Sequence, residues 1–305
     1  IQLNKEKAES AIEVIGKQLG LGVMETAAGI VKISEFQMAD LIRRMTIQKG
    51  FDPRDFILFA FGGAGPMHAG VFAFELGVQK VVVPQGNIAS TWCGFGAASA
   101  NVLHIVEQVE IMVSPFDPEM LNDRFRSLRD RVHQQLEEEG FPRTDQTIQF
   151  SLDMRHKGQI NEVEVSIKSE SLASDDVTVL QEQFFENYEL IYGKGASLPW
   201  ARLEAVTFRV RASAETLKPD VRRSENLTST ISADALGSER PVYWSEPAES
   251  IITATYIGEY LRPGNQISGP AVIETSNTTV VVHPGRAVTV DAFGNFEITL
   301  IDSLS

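Results

Sequence analysis

The chain has 305 residues, 43% of them hydrophobic and 22% charged, enough for about two domains with cores of their own. Its formal net charge of −14 argues against free binding to nucleic acid or to an anionic membrane surface, since both want basic patches. A single cysteine, Cys93, rules out an intrachain disulfide and makes a reducing, cytoplasmic setting the expectation. The charged start, IQLNKEKAESAIEVIGKQLG, does not read as a secretory leader, and no run approaches a membrane span.

The chain enters a helix almost at once. Ala8, Ile12, Ile15 and Leu19 recur near the helical period over residues 5–19. After Gly20-Leu21-Gly22, the spacing of Ala28, Val31, Met38, Leu41, Ile42 and Met45 predicts a long helix, or two, over residues 24–49. Glu25, Lys32, Glu35, Asp40, Arg43 and Arg44 supply its polar face, and Gly50 suits the position after its end. No strand leads in. The sequence reads as one that starts in the middle of a fold, through a processed or truncated N-terminus or because another polypeptide completes it.

Residues 55–77, DFILFAFGGAGPMHAGVFAFELG, organise the rest. The uninterrupted apolar run over 56–61 predicts a strand buried on both faces, as in a parallel sheet. Gly62, Gly63 and Gly65 follow, then Pro66, which suits the first turn of a helix over residues 66–76. Glycines let a ligand approach the backbone closely, and a helix start offers free N–H groups. The spacing matches neither GxGxxG nor GxxxxGK[ST], so a ligand site and an ordinary strand-to-helix turn both fit the residues.

A short strand is expected at Lys80–Val83, ended by Pro84-Gln85-Gly86-Asn87. Residues 88–107, rich in Ala, Ser and Gly, predict a helix packed tightly into a core, with ligand approach as the other reading. Residues 108–114 read as a strand and 115–140 as a helix with a wet, mixed-charge face and an inner row of Met120, Leu121, Phe125, Leu128, Val132 and Leu136. Alternation predicts a hairpin over 145–168 and, in part, a strand over 201–213, while Val179, Phe184, Phe185, Tyr188 and Ile191 as an inward row predict a helix over 174–193. The polar stretch 214–238 is a linker candidate, and short strands punctuated by Gly, Pro and Asn fill the remainder. The domains expected are 1–114, an α+β segment at 115–213, the linker 214–238, and a small β domain at 239–305.

The five histidines show no zinc-ligand spacing, so no metal site is expected. His68, on the first turn after the glycines, is the candidate catalytic residue; it could reach a phosphate or a carbonyl, or simply pack. Cys93 reads as a buried, inert thiol, and the polar loop around Glu274, Asn277, Thr278 and Thr279 as a hairpin turn.

These residues carry a resemblance. AFGGAGPMHA (60–69), ELGVQKVVVPQGNIASTWCGFGAASANV (75–102), DMRHKGQINEVEV (153–165), the Tyr192-Gly193 pair and LRPGNQISGPAVIETSNTTVVVHPG (261–285) resemble, in order, the second half of the hydantoinase A / 5-oxoprolinase family. The resemblance implies an α/β chain: the second-half portion of an actin-like, sugar-kinase-like ATPase fold, with an added α+β segment and a C-terminal small β domain. It implies that Gly62, Gly63, Ala64 and Gly65 bind the adenosine side of ATP, with the phosphate and Mg2+ ligands in a partner chain, because the DxGGT-type loops of the family are absent here. Separately encoded halves are typical of the acetophenone carboxylase type. The implied role is therefore a subunit of an ATP-dependent ketone carboxylase, inactive alone, that turns a ketone and bicarbonate into a 3-oxoacid beside larger hydantoinase A-like and hydantoinase B-like subunits and a small one. Half of a cyclic amidase, or a silent structural subunit, are the other readings. Relatives often carry an aromatic residue at the position of His156, and a His and a Tyr near the YG pair where Tyr188 and Tyr192 stand, so no catalytic histidine is taken from that segment.

Overall fold

The computed structural model describes residues 4–84 and 88–301. The break expected at 84–87 thus lies mostly outside the described residues. In chain order the helices are α1 (Lys5–Leu19), α2 (Val23–Ile47), α3 (Gly65–Glu75), α4 (Trp92–Ser99), α5 (Pro118–Glu138) and α6 (Ser174–Tyr192). The strands are β1 (Leu58–Phe59), β2 (Lys80–Val83), β3 (Val102–Val113), β4 (Gln146–His156), β5 (Val163–Ile167), β6 (Leu203–Ala214), β7 (Leu236–Trp244), β8 (Glu249–Ile257), β9 (Gln266–Ser268), β10 (Ala271–Glu274), β11 (Thr279–Val282), β12 (Arg286–Val290) and β13 (Phe296–Leu300). The architecture is mixed α/β, with three sheets among the described residues. No helix among the described residues is long and apolar enough to cross a membrane.

The chain divides into two compact units, Ile1–Ala97 with Asp220–Ser305, and Ala98–Pro219. This corrects the expected boundaries at 114, 213 and 238. β3 begins at Val102 and pairs along β6 from Val102↔Ala214 to Val113↔Glu204, so it belongs with the α+β segment. The stretch 214–238 is no free linker: the Ser224 N–H donates to Ala292 O (2.8 Å), the Thr228 N–H to Pro263 O (2.8 Å), and the Asn265 amide to Thr228 O (2.8 Å). The C-terminal region is β-rich, but it shares a sheet and a core with the N-terminal residues.

In the discontinuous unit a five-stranded sheet runs β1-β2-β13-β12-β9 and a four-stranded one β11-β10-β8-β7. β1 is parallel to β2, and β2 is antiparallel to β13. Ala69, Phe72 and Ala73 of α3, Val81 and Val83 of β2, and Ile273, Val282 and Ile298 from the C-terminal strands form one core. α1 is capped by the Asn4 side chain, which accepts from the Lys7 N–H at 2.9 Å, and ends at Gly20 with a φ of 72°.

Two expectations fail here. The 56–61 run is not buried on both faces. Only Leu58–Phe59 forms a strand, it has a single neighbour in the sheet among the described residues, and Phe56, Ile57, Phe59 and Phe61 stay between 41% and 54% exposed. Residues 88–107 are not one core helix. α4 is eight residues long, buries none of them, leaves Cys93 exposed, and stacks Trp92 on Phe95 with ring centroids 4.4 Å apart.

The second unit is an antiparallel sheet, β3-β6-β4-β5, with α5 and α6 sharing its core. Leu121, Phe125, Leu128, Val132 and Leu136 fill the inner row of α5, while Met120 stays outside. They meet Phe150, Leu152, Met154 and Phe208 from the sheet and Phe184 from α6.

Candidate functional site

The glycine turn lies between β1 and α3. Gly62 adopts a φ of 85°, a region glycine enters without Cβ strain. Two hydrogen bonds fix the turn: the Gly62 N–H donates to Ala89 O at 2.9 Å, and the hydroxyl of buried Thr278 is shared between Gly62 O (3.1 Å) and Gly63 O (3.0 Å). Among the described residues its other side is open: a Cβ at Gly62 or Gly65 would meet nothing within 4 Å there, and one at Gly63 only Asn277 O at 3.9 Å. Ala64 sits at the N-cap of α3 and Pro66 in its first turn, so no side chain caps the first N–H groups. Gly62, Gly63, Ala64 and Gly65 are therefore gathered at one helix start, with backbone that an anionic group can approach.

The sequence reading missed Thr278, because a hairpin-turn threonine gives no local sign of a partner more than two hundred residues upstream. It also placed Glu35 on the solvent face of its helix. Glu35 is instead 6% exposed, and its Oε1 lies 3.1 Å from Nδ1 of His68. Burial pushes the Glu35 carboxyl up, opposed by the hydrogen bond and the charge of His68. His283, just after β11, joins this group. Burial, then the nearby Arg286 and His68, lower its pKa to about 4, which keeps it neutral near pH 7. Its ring meets Trp244 edge-on, with centroids 5.2 Å apart. Gly70 permits the approach of α3: a Cβ there would come 3.0 Å from His283 Cδ2 and 3.2 Å from Val281 O.

Two cavities flank this cluster. One of about 290 Å³ is walled by Met24, Ala28, Val31, Met67 and Val281, with Glu35, His68 and His283 also on its lining. The other, about 360 Å³, is more polar and includes Lys32, Glu75, Glu246 and Arg286. The Arg286 guanidinium lies 4.3 Å from the centroid of the Phe74 ring, and its Nε is buried without a partner among the described residues. His68 is thus a Glu-paired imidazole on a cavity wall, placed two helical residues beyond Pro66.

The other histidines carry less. His156 is 1% exposed, packed against Phe184 and Tyr188, and accepts from the Leu198 N–H through Nε2 at 3.3 Å; burial lowers its pKa. His104 and His133 bond Glu139 and Gln146. Among the described residues no group of three or more His, Cys, Asp or Glu could hold a metal ion.

Comparison with known proteins adds the lineage. The hydantoinase/oxoprolinase family model matches residues 1–106, and the hydantoinase/oxoprolinase C-terminal domain matches residues 116–300. The chain is 33% identical to the acetophenone carboxylase gamma subunit of Aromatoleum aromaticum, over 98% of this chain and 42% of that one. It is 30% identical to the caprolactamase subunit alpha of Pseudomonas jessenii, over 98% of this chain and 43% of that one. The crystal structure of the ATP-dependent caprolactamase from Pseudomonas jessenii superposes with a TM-score of 0.88 at 30% identity, covering 99% of this chain and 44% of that one. The nucleotide-free structure of acetone carboxylase does so with a TM-score of 0.70 at 26% identity, covering 99% and 43%. The chain spans less than half the length of these relatives.

Proposed function

Because the chain belongs to the hydantoinase/oxoprolinase family, we propose that it supplies the adenosine-side wall of an ATP site in an enzyme that activates a carbonyl compound. The observation that carries this reading is the glycine turn, braced from behind by Thr278 and Ala89 and open in front. ATP would supply phosphoryl activation; Gly62, Gly63, Ala64 and Gly65 would hold its adenosine side through close backbone approach. The phosphate and Mg2+ ligands are assigned to a partner chain, because no DxGGT-type loop is present in this one. Larger hydantoinase A-like and hydantoinase B-like subunits, with a small one, are the partners proposed, and the chain alone is expected to be inactive.

Within that frame the reaction is read as ketone carboxylation, ketone and bicarbonate giving a 3-oxoacid, supported by the 33% identity to an acetophenone carboxylase subunit. Cyclic-amide opening is the second reading, favoured by the TM-score of 0.88 to caprolactamase. The assembled enzyme distinguishes them: ATP turnover stimulated by acetophenone with bicarbonate supports the first, and stimulation by caprolactam alone supports the second.

Gly63→Leu tests the nucleotide role. The added side chain meets open space, so the assembly should persist while ATP turnover falls at least tenfold. An intact assembly with unchanged ATP binding would sink the nucleotide reading. A variant that fails to assemble would favour a purely structural subunit.

A further inference from the structure

The sheet of the second unit runs β3-β6-β4-β5, so β5 has one neighbour and one free edge among the described residues. Such an edge is a row of N–H and C=O groups that another chain can pair with. One contact fixes which backbone groups of β5 face it. From α6 the Asn187 amide donates to Glu164 O at 3.2 Å, so that carbonyl faces away from β4. Along a strand in an antiparallel pair, the N–H and C=O of successive residues face alternate sides. Those of Ser166, two residues on, therefore also face away from β4, and no loop or side chain bonds them among the described residues.

A groove of about 330 Å³ lies between this end of β5 and α6. Its apolar lining is Ile167, Leu172, Val179 and Leu180; three of these are buried, and Val179 is 49% exposed. Its polar lining is Ser166, Lys168, Ser169, Asp176 and Gln183. The Asp176 carboxylate already accepts from the Ala173 N–H at 2.8 Å.

Charge selects the occupant. Residues three and four apart share a helix face, so Glu182 and Glu186 continue the row of Val179 and Gln183. Both glutamates are exposed, and α6 carries no lysine or arginine. Lys168, on the strand side, is the one basic residue of the lining among those described. A segment with basic side chains flanking an apolar one complements this pattern, and an acidic segment does not.

We propose that the groove takes an extended, basic segment of another polypeptide, which pairs with β5 as a fifth strand of the sheet, sets an apolar side chain against Val179, and aligns its cations with the acids of α6. The inference does not draw on the nucleotide reading, because its residues all lie in the second unit and the glycine turn lies in the other.

The test is fluorescence anisotropy on the full chain with a fluorescein-labelled peptide, Lys-Thr-Val-Thr-Arg-amide, whose alternation puts the cations and the valine on one face. Its binding should saturate, and should be about tenfold tighter than that of Glu-Thr-Val-Thr-Glu-amide. It should also be about tenfold tighter than that of the same peptide N-methylated at its three central residues, which cannot donate to a strand edge. No saturable binding, or equal binding of either control, overturns the proposal without any variant. Two variants locate the site. Val179→Lys fills the groove with a cation, and Ser166→Pro removes an N–H that the ladder to β4 does not use. Each should weaken the basic peptide about tenfold, with thermal melting recorded alongside. If the proline lowers the melting temperature, the lysine variant decides. A folded Val179→Lys chain that binds the peptide as the unaltered one does overturns the assignment to this groove.

Discussion

The two units cover their sheets in different ways. In Ala98–Pro219 one face of the sheet lies in the core with α5 and α6, and the other is laced by ion pairs. Arg209 makes two bonds to Asp153, at 3.0 and 2.8 Å, and also reaches Glu107 and Glu164; Arg155 holds Glu204 at 2.9 Å. The ion pairs cover only part of this surface, for Leu103, Ile105, Val109 and Ile111 of β3 are exposed. The discontinuous unit has a core of its own, yet α2 turns Ile33, Phe36 and Leu41 to solvent, and Phe56 and Phe59 in and before β1 are exposed too. The comparison teaches that an apolar residue's value here depends on its burial, in either unit.

The largest expected contrast follows from that. Phe208→Ala, at a position with no exposure in the second unit, should cost about 3–5 kcal/mol in denaturant unfolding. Phe59→Ala should change stability by less than about 0.5 kcal/mol, because its ring is already half in water. Comparable losses at both sites would remove the contrast.

Next in size is the ion-pair face. Arg209→Leu removes the partner of Asp153 and one partner of Glu164, and should destabilise the second unit by about 2 kcal/mol. A smaller loss would show that the face is only solvated charge. Thr278→Val comes after it. It leaves two glycine carbonyls without their hydroxyl and should cost about 1–2 kcal/mol in the other unit, with weakened ATP binding as the second readout. Unchanged unfolding would mean that the turn holds itself.

A last contrast is a difference in acid response. Glu164, hydrogen-bonded by Arg211, has its pKa lowered from 4.5 to about 2. Its stabilisation is complete above pH 4.5 and is lost as pH falls toward 2. His283 is lowered from 6.5 to about 4, so the unfolded chain takes up its proton first, and stability drops as pH falls from 6.5 to 4. His283→Gln should flatten the upper window and Arg211→Leu the lower one in melting curves taken across pH. One shared window would contradict both assignments.

Much of this was legible in the sequence. Periodicity located α5, α6 and the β4–β5 hairpin because each buries one stripe or one face; it also located α1 and α2, though their apolar rows leave Ile15, Leu19, Val31, Leu41 and Met45 exposed. Family motifs located the glycine turn. Three things were not legible. The apolar run 56–61 looked doubly buried because hydrophobicity records what a strand can cover, and β1 has one neighbour here. The small-residue run hid the start of β3, whose side chains alternate only from Val102 onward. The Glu35–His68–His283 cluster draws on α2, α3 and the segment after β11, and no local pattern links them.

The discontinuity of the first unit has a consequence for biosynthesis. β2 pairs with β13 from Lys80↔Thr299 to Val83↔Phe296, and the brace of the glycine turn is Thr278. A ribosome therefore releases the whole of residues 98–219 before it makes the strands that close the unit begun at the N-terminal side. Contacts so distant in sequence form late, because their loop closure is costly. During translation the inserted unit can fold first as a block, while the half-made unit waits with its apolar strand uncovered, the state in which a nascent chain most needs chaperone cover.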